Sequence, residues 1–193
     1  MFGNKAEERE AFSVEVMIHL DHLYRVAWHL VRNPDKAQDL VQETCVRAFD
    51  AHEQFTPGTN MKAWLTKILY NLFYDSYQSN KRMVSLEDKA GRSDEAFDYW
   101  ETIPTGNPGP EKEILRKELS GKIGDALKKI PEEFRVPIVL VDMGDLSYAQ
   151  AAEILSCPIG TIRSRLSRGR RLLHEELRVY VGVREKESSS NEV

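Results

Sequence analysis

Cysteine is nearly absent: the 193 residues hold two, Cys45 and Cys157, far apart and in no CxxC pair. Neither a disulfide framework nor a thiolate metal site follows from them, and reduced, packing thiols are the default. Long apolar runs are also missing, since no stretch approaches the roughly 20 residues of a membrane span. The opening MFGNKAEERE is polar and no signal-peptide core follows it, which reads as a cytoplasmic protein without membrane insertion. Strand alternation and hairpin signals of comparable length are lacking, so helical periodicity organises the chain. There is no excess of positive charge either: 31 acidic residues outweigh 27 basic ones, for a net charge of −4. Any contact with a polyanion must therefore be local. His19, His22 and His29 share one helical stretch, but no further ligands assemble around them; exposed or half-buried helix residues are the expectation, with no metal and no cofactor.

The positive charge that is present is concentrated. CPIGTIRSRLSRGRRLL, residues 157–173, carries Arg163, Arg165, Arg168, Arg170 and Arg171. Just upstream, Ser147 followed by Gln150 predicts a capping box at the start of a short helix. Ser156-Cys157-Pro158 then reads as a tight turn, with Pro158 near the first position of a second helix from about Ile159 to Val179. Two helices joined in this way match a helix-turn-helix. Ala152 is small where the helices would cross, and Ile162 and Leu166 face inward. Thr161, Arg163, Ser164, Arg165, Ser167 and Arg168 are left for the outward faces. In such motifs the N-terminal end of the second helix enters the major groove, where arginine pairs with guanine. The competing reading is a solvated arginine-rich helix, or one paired with Glu175 and Glu176; a bare charge run would not need the capped helix and turn beside it.

Residues 84–111 hold seven acids against Lys89 and Arg92, together with Gly91, Pro104, Gly106, Pro108, Gly109 and Pro110. This is expected to be a flexible acidic linker between helical domains at 12–83 and 112–180, with a polar tail at 181–193. The fold class expected is all-α.

In the first domain, Val16, Met17, Leu20, Leu23, Tyr24, Ala27, Trp28 and Val31 form an apolar stripe that ends at Asn33-Pro34. The next helix turns Ala37, Leu40, Val41, Thr44, Cys45, Ala48 and Phe49 inward and leaves Asp39, Gln42, Glu43 and Arg47 outside. Asp39 and Glu43 are like charges four apart, mildly unfavourable in isolation. A cationic partner would account for them, and so would a plain solvated face. A third helix after Pro57-Gly58-Thr59-Asn60 buries Met61, Trp64, Leu65, Ile68, Leu69, Leu72 and Phe73. Its other side carries Lys67, Tyr70, Asn71, Tyr74 and Gln78, with Lys81 and Arg82 beyond. Aromatics interleaved with cations suit the stacking of unpaired bases, at about 1 to 3 kcal/mol per base. Packing of Tyr70 and Tyr74 into the core is the alternative.

These parts resemble the extracytoplasmic-function (ECF) subfamily of bacterial RNA polymerase sigma factors over roughly residues 12–83 and 112–175. Asp39-Leu40-Val41-Gln42-Glu43-Thr44 resembles the family's polymerase-binding segment, Lys62 to Asn71 its promoter-melting helix, and Gly160 to Leu166 its recognition helix. The resemblance implies a transcription initiation factor with no catalytic chemistry and no cofactor. It implies that Asp39, Gln42 and Glu43 dock on the clamp helices of the polymerase β′ subunit. Phe55, Thr59, Asn60, Lys67, Tyr70, Asn71, Tyr74, Asp75, Lys81 and Arg82 would serve the −10 element. Thr161, Arg163, Ser164, Arg165, Arg168 and Arg171 would read the −35 element, with that domain against the β flap. An anti-sigma partner is implied as well.

Three departures from the family pattern carry expectations. Gln78, Ser79 and Asn80 stand where an arginine-rich run is common, leaving Lys81 and Arg82 for the backbone. Ser156 replaces a turn glycine, so a left-handed backbone there would carry modest strain. Pro137 falls in a helical stretch and would cost a hydrogen bond and kink the helix. Two other functions remain open: a stand-alone, dimeric helix-turn-helix regulator, and a sigma mimic that sequesters an anti-sigma protein. A single helix-turn-helix reads too few base pairs to find one site in a genome, so a second DNA-contacting domain on a tether favours the sigma reading.

Overall fold

The computed structural model describes the backbone of residues 3–84 and 110–190, and side chains chiefly within 7–78 and 121–178. The linker stretch falls almost wholly outside the described residues. The chain divides into two compact units, Met1–Phe97 and Asp98–Val193. Among the described residues both are helical and neither contains a strand.

The first unit comprises α1 (Gly3–Ile18), α2 (Leu20–Val31), α3 (Pro34–Asp50), a 3-10 turn (His52–Gln54) and α4 (Met61–Val84). Its core is the set of positions that recur every three or four residues on each helix: Phe12 and Val16, Leu23, Val26, Ala27 and Leu30, Ala37, Val41 and Ala48, then Met61, Leu65, Leu69 and Phe73. The single first helix expected from the apolar stripe is in fact two. The backbone breaks at His19, which caps nothing with its side chain. The break changes which face is inward, so Met17 is 64% exposed although it fits the stripe. The stop at Asn33-Pro34 is present: Arg32 turns left-handed at φ 55, its N–H closing on the Trp28 carbonyl. Asn33 then accepts the Lys36 amide at 2.9 Å with Pro34 in the first turn of α3. Phe49, expected inward, lies at the margin, 43% exposed and edge-on to Phe12 with ring centroids 5.9 Å apart.

The histidines depart from expectation. His22 and His29 are buried, at 6% and 8% exposure. His22 Nε2 lies 2.8 Å from Thr66 Oγ1, and that hydroxyl gives its own hydrogen to the Lys62 carbonyl at 2.7 Å. Thr66 therefore accepts from His22 Nε2–H, which leaves Nδ1 as the bare, buried nitrogen without a hydrogen-bond partner. Burial, with Lys62, Arg25 and His19 nearby, pushes the His22 pKa down to about 3. Burial beside Arg32 and Arg25 does the same to His29.

The second unit runs α5 (Pro110–Lys129), α6 (Glu132–Ile138), a π turn (Val139–Met143), α7 (Tyr148–Ile154) and α8 (Ile159–Ser190). Pro137 sits inside α6, where it has no N–H for the Glu133 carbonyl; the chain passes directly into the π turn, closed by Gly144 N–H on the Val139 carbonyl at 2.9 Å. The capping box is complete: Gln150 N–H donates to Ser147 Oγ at 3.2 Å and Ser147 N–H to Gln150 Oε1 at 2.8 Å. Ser156 is left-handed at φ 48, with Cys157 N–H reaching back to the Ala152 carbonyl at 3.0 Å. The second helix of the motif does not stop near Val179. It continues to Ser190 through most of the expected tail, whose Arg, Glu and Lys residues favour helix.

Candidate polymerase and nucleic-acid interfaces

Ile162 and Leu166 seat α8 in the core, along with Ala151, Ala152 and Ile154 of α7. Helical spacing then fixes what is left outside. Arg163, Ser164, Ser167 and Arg168 are exposed, and Thr161 and Arg165 half-buried. Among the described residues no carboxylate forms an ion pair with Arg163, Arg165 or Arg168. Arg168 instead lies over the Phe134 ring, 5.2 Å from its centroid. The free amides of the first turn add partial positive charge at the same end. Arg171 is different, with Nε 3.8 Å from Glu175, and Arg170 is fully engaged by Asp142. The five arginines therefore split: Arg163, Arg165 and Arg168 have no acidic partner among the described residues, Arg171 makes a long, exposed pair one turn along its own helix, and Arg170 is held within the fold.

On α4 the outward face is also as expected. Lys67, Asn71, Tyr74 and Gln78 follow one another at three- and four-residue steps, with Asn71, Tyr74 and Asp75 exposed. Tyr74 is 42% exposed, so it is not a core residue. Tyr70 is half-buried, its ring 6.1 Å from Tyr74 and 6.3 Å from Phe73, and it supports Tyr74 from behind. The side chains of Lys81 and Arg82 lie outside the described residues.

The loop before α4 is more built than its sequence implies. Gly58 takes φ 84, Thr59 Oγ1 donates to the Thr56 carbonyl at 2.7 Å, and Asn60 caps α4 by accepting the Ala63 amide at 2.9 Å. Phe55, counted among the DNA contacts from sequence, is 8% exposed and packs on Trp64 at 5.3 Å and Phe12 at 6.1 Å. Little of its ring is left to offer a base. Burial wins because an aromatic ring packed on two others gains more than one left in a loop, and Phe55 instead anchors the loop.

Asp39, Gln42 and Glu43 of α3 are all exposed on one face. Glu43 accepts from Arg47 Nε at 2.7 Å, an exposed pair of small energetic weight. Val46, 53% exposed, continues this face by its spacing from Gln42 and Glu43, an exposed apolar side chain that the same periodicity would have revealed. Three further residues had no readable signal: Asp142, Tyr148 and Gly169 act through contacts between helices distant in sequence. No described helix is long and apolar enough to cross a membrane.

Both units resemble known proteins. Residues 16–83 match the Sigma-70 region 2 family model, and residues 120–173 match Sigma-70, region 4. The chain is 35% identical to the ECF RNA polymerase sigma factor SigE of Mycolicibacterium smegmatis over 82% of its own length, spanning 58% of that protein. It is 30% identical to the ECF RNA polymerase sigma factor SigW of Bacillus subtilis, over 90% of this chain and 92% of that one. Among solved structures, the sigma factor RpoE in complex with the anti-sigma factor NepR from Bartonella quintana superposes with a TM-score of 0.71 at 33% identity, covering 88% of this chain and 98% of that one. Two family models in the expected order, on two helical units that present a capped helix-turn-helix and an aromatic helix face, place the chain among transcription initiation factors without catalytic chemistry: it belongs to the ECF family of RNA polymerase sigma factors.

Proposed function

We propose that this chain directs core RNA polymerase to a two-part promoter, with the division of labour following the two units. Residues 12–83 bind polymerase and open the −10 region, and residues 112–180 read the −35 element as duplex. Arg163, Arg165 and Arg168, outward and unpaired with acids at the start of α8, are the observation that carries this reading. Arginine there suits bidentate pairing with guanine, while Thr161 and Ser164 suit phosphates or base edges. Arg171, drawn toward Glu175, is left with a phosphate role at the edge of the contact.

Asp39, Gln42, Glu43 and Val46 dock on the β′ clamp helices, acid and amide against a basic coiled coil with an apolar contact at the end. Tyr74, backed by Tyr70, stacks an unpaired base, and Asn71 and Asp75 read its edge. The loop at Thr59 and Asn60, anchored by Phe55, forms the rim of that site; Lys67, Lys81 and Arg82 follow the phosphates. The solved sigma factor held by NepR supports an anti-sigma partner for this chain too.

In vitro transcription with core polymerase over a promoter library tests the reading. Arg163→Ala or Arg168→Ala should cut output from a −35-dependent promoter by about five- to 150-fold while core binding stays intact, since a good bidentate base contact is worth about 1 to 3 kcal/mol. Equal loss of both activities would overturn the assignment of roles. A stand-alone regulator would instead bind its operator tightly, as a dimer, without polymerase. A mimic would support no transcription at all.

A further inference from the structure

One arginine of the recognition segment is spoken for by the fold. Arg170 Nε and Nη2 donate to the two carboxylate oxygens of Asp142, at 3.0 and 2.6 Å, and Nη1 donates to the Tyr148 hydroxyl at 3.3 Å. Asp142 lies in the π turn and Tyr148 is the first residue of α7, so one guanidinium ties three elements together. Planar, forked donors suit this arrangement, where a lysine would reach one oxygen at a time. The neighbouring glycine fastens the same point. Gly169 brings α8 against α6 so closely that a Cβ would stand 2.9 Å from both Ile138 Cδ1 and the Phe134 carbonyl oxygen. Thr161, Arg163, Ser164 and Arg165 lie on the N-terminal side of this junction, on the turn that Ile162 seats in the core. Arg163 is about 10 Å along the helix from Arg170, so a tilt of about 10° at the junction would move it by roughly 2 Å, enough to spoil a bidentate hydrogen bond.

We propose that Arg170 is a positioning residue and not a DNA contact: held by Asp142 and Tyr148, it sets the angle at which residues 161–168 meet duplex DNA, and so determines how sharply wrong −35 base pairs are rejected. The inference rests on α8 being the −35 reader.

The test uses the full chain with core polymerase on promoters substituted at each −35 position, comparing the cognate-to-mismatch ratio of transcription. Asp142→Asn and Arg170→Met should each lower that ratio by roughly three- to tenfold. The double variant should be no worse than either single one, and the exchange Asp142→Arg with Arg170→Asp should recover part of the ratio. Core binding and the dependence of promoter binding on salt should stay as in the parent. Tyr148→Phe, which removes one hydrogen bond and keeps the ring, should shift the ratio in the same direction by less. An Arg170 in contact with phosphate predicts otherwise: Arg170→Met would reduce the salt slope by about one, and Asp142→Asn, which frees the guanidinium, would tighten binding to every sequence. Either result, or an unchanged ratio, overturns the proposal. If the unsubstituted protein shows no −35 preference, the reading of α8 itself falls, which is a distinguishable failure.

Discussion

Acid should loosen the first unit in a way traceable to two side chains. His22 and His29 are buried and held neutral, each with its pKa lowered from 6.5 to about 3, chiefly by desolvation and then by neighbouring cations. In the unfolded chain both revert to ordinary imidazoles. As pH falls, the unfolded state takes up protons that the folded state refuses, so stability is full above about pH 6.5 and declines through the window down to about pH 3. At pH 5.5 each histidine costs about 1.4 kcal/mol relative to a fully deprotonated reference, against about 0.1 kcal/mol at pH 7.5. Together they should remove about 2.7 kcal/mol over that interval. Urea unfolding at pH 7.5 and 5.5, followed by fluorescence, measures the difference; Trp28 and Trp64 report from this unit. His22→Gln with His29→Gln should lower stability at pH 7.5, because buried shapes are lost, yet flatten the slope. A parent protein whose stability is the same at both pH values would refute the reasoning. So would a double variant that keeps the full slope.

Three further outcomes follow from particular contacts. Ser156→Gly should raise the stability of the second unit by up to about 1 kcal/mol, the left-handed strain at φ 48 being partly offset by the greater freedom of unfolded glycine; a loss in urea unfolding would contradict it. Gly169→Ala should destabilise by about 1 to 3 kcal/mol despite alanine's better helix propensity, since the Phe134 carbonyl at 2.9 Å is backbone and yields little; a gain in melting temperature would disprove the close approach of α6 and α8. Asp39→Ala with Glu43→Ala should weaken core polymerase binding at least tenfold, about 1.4 kcal/mol, in a titration with labelled protein, and unchanged affinity would remove this face from the interface.

Much was decided by the sequence alone, wherever the cause acts within one or two helical turns. The Ser147–Gln150 capping box, the Asn33-Pro34 stop and the inward set Ile162 and Leu166 depend on local spacing, so periodicity and cap chemistry were enough to place them. The outward faces of α3 and α4 followed for the same reason, being the complement of an apolar stripe. Other features required the tertiary structure, because their causes lie far away in sequence. The break at His19 leaves no proline or glycine behind it, and it alone sends Met17 outward. His22 is buried where Thr66, 44 residues on, offers its ring a hydroxyl from α4. Phe55 became an anchor because Phe12 and Trp64 meet it from separate helices. The arginine cluster shows the division most plainly: composition could count five positive charges, but only the placement of Asp142 and Tyr148 beside Arg170 decides which of them remain for a ligand and which holds the helix that carries the others.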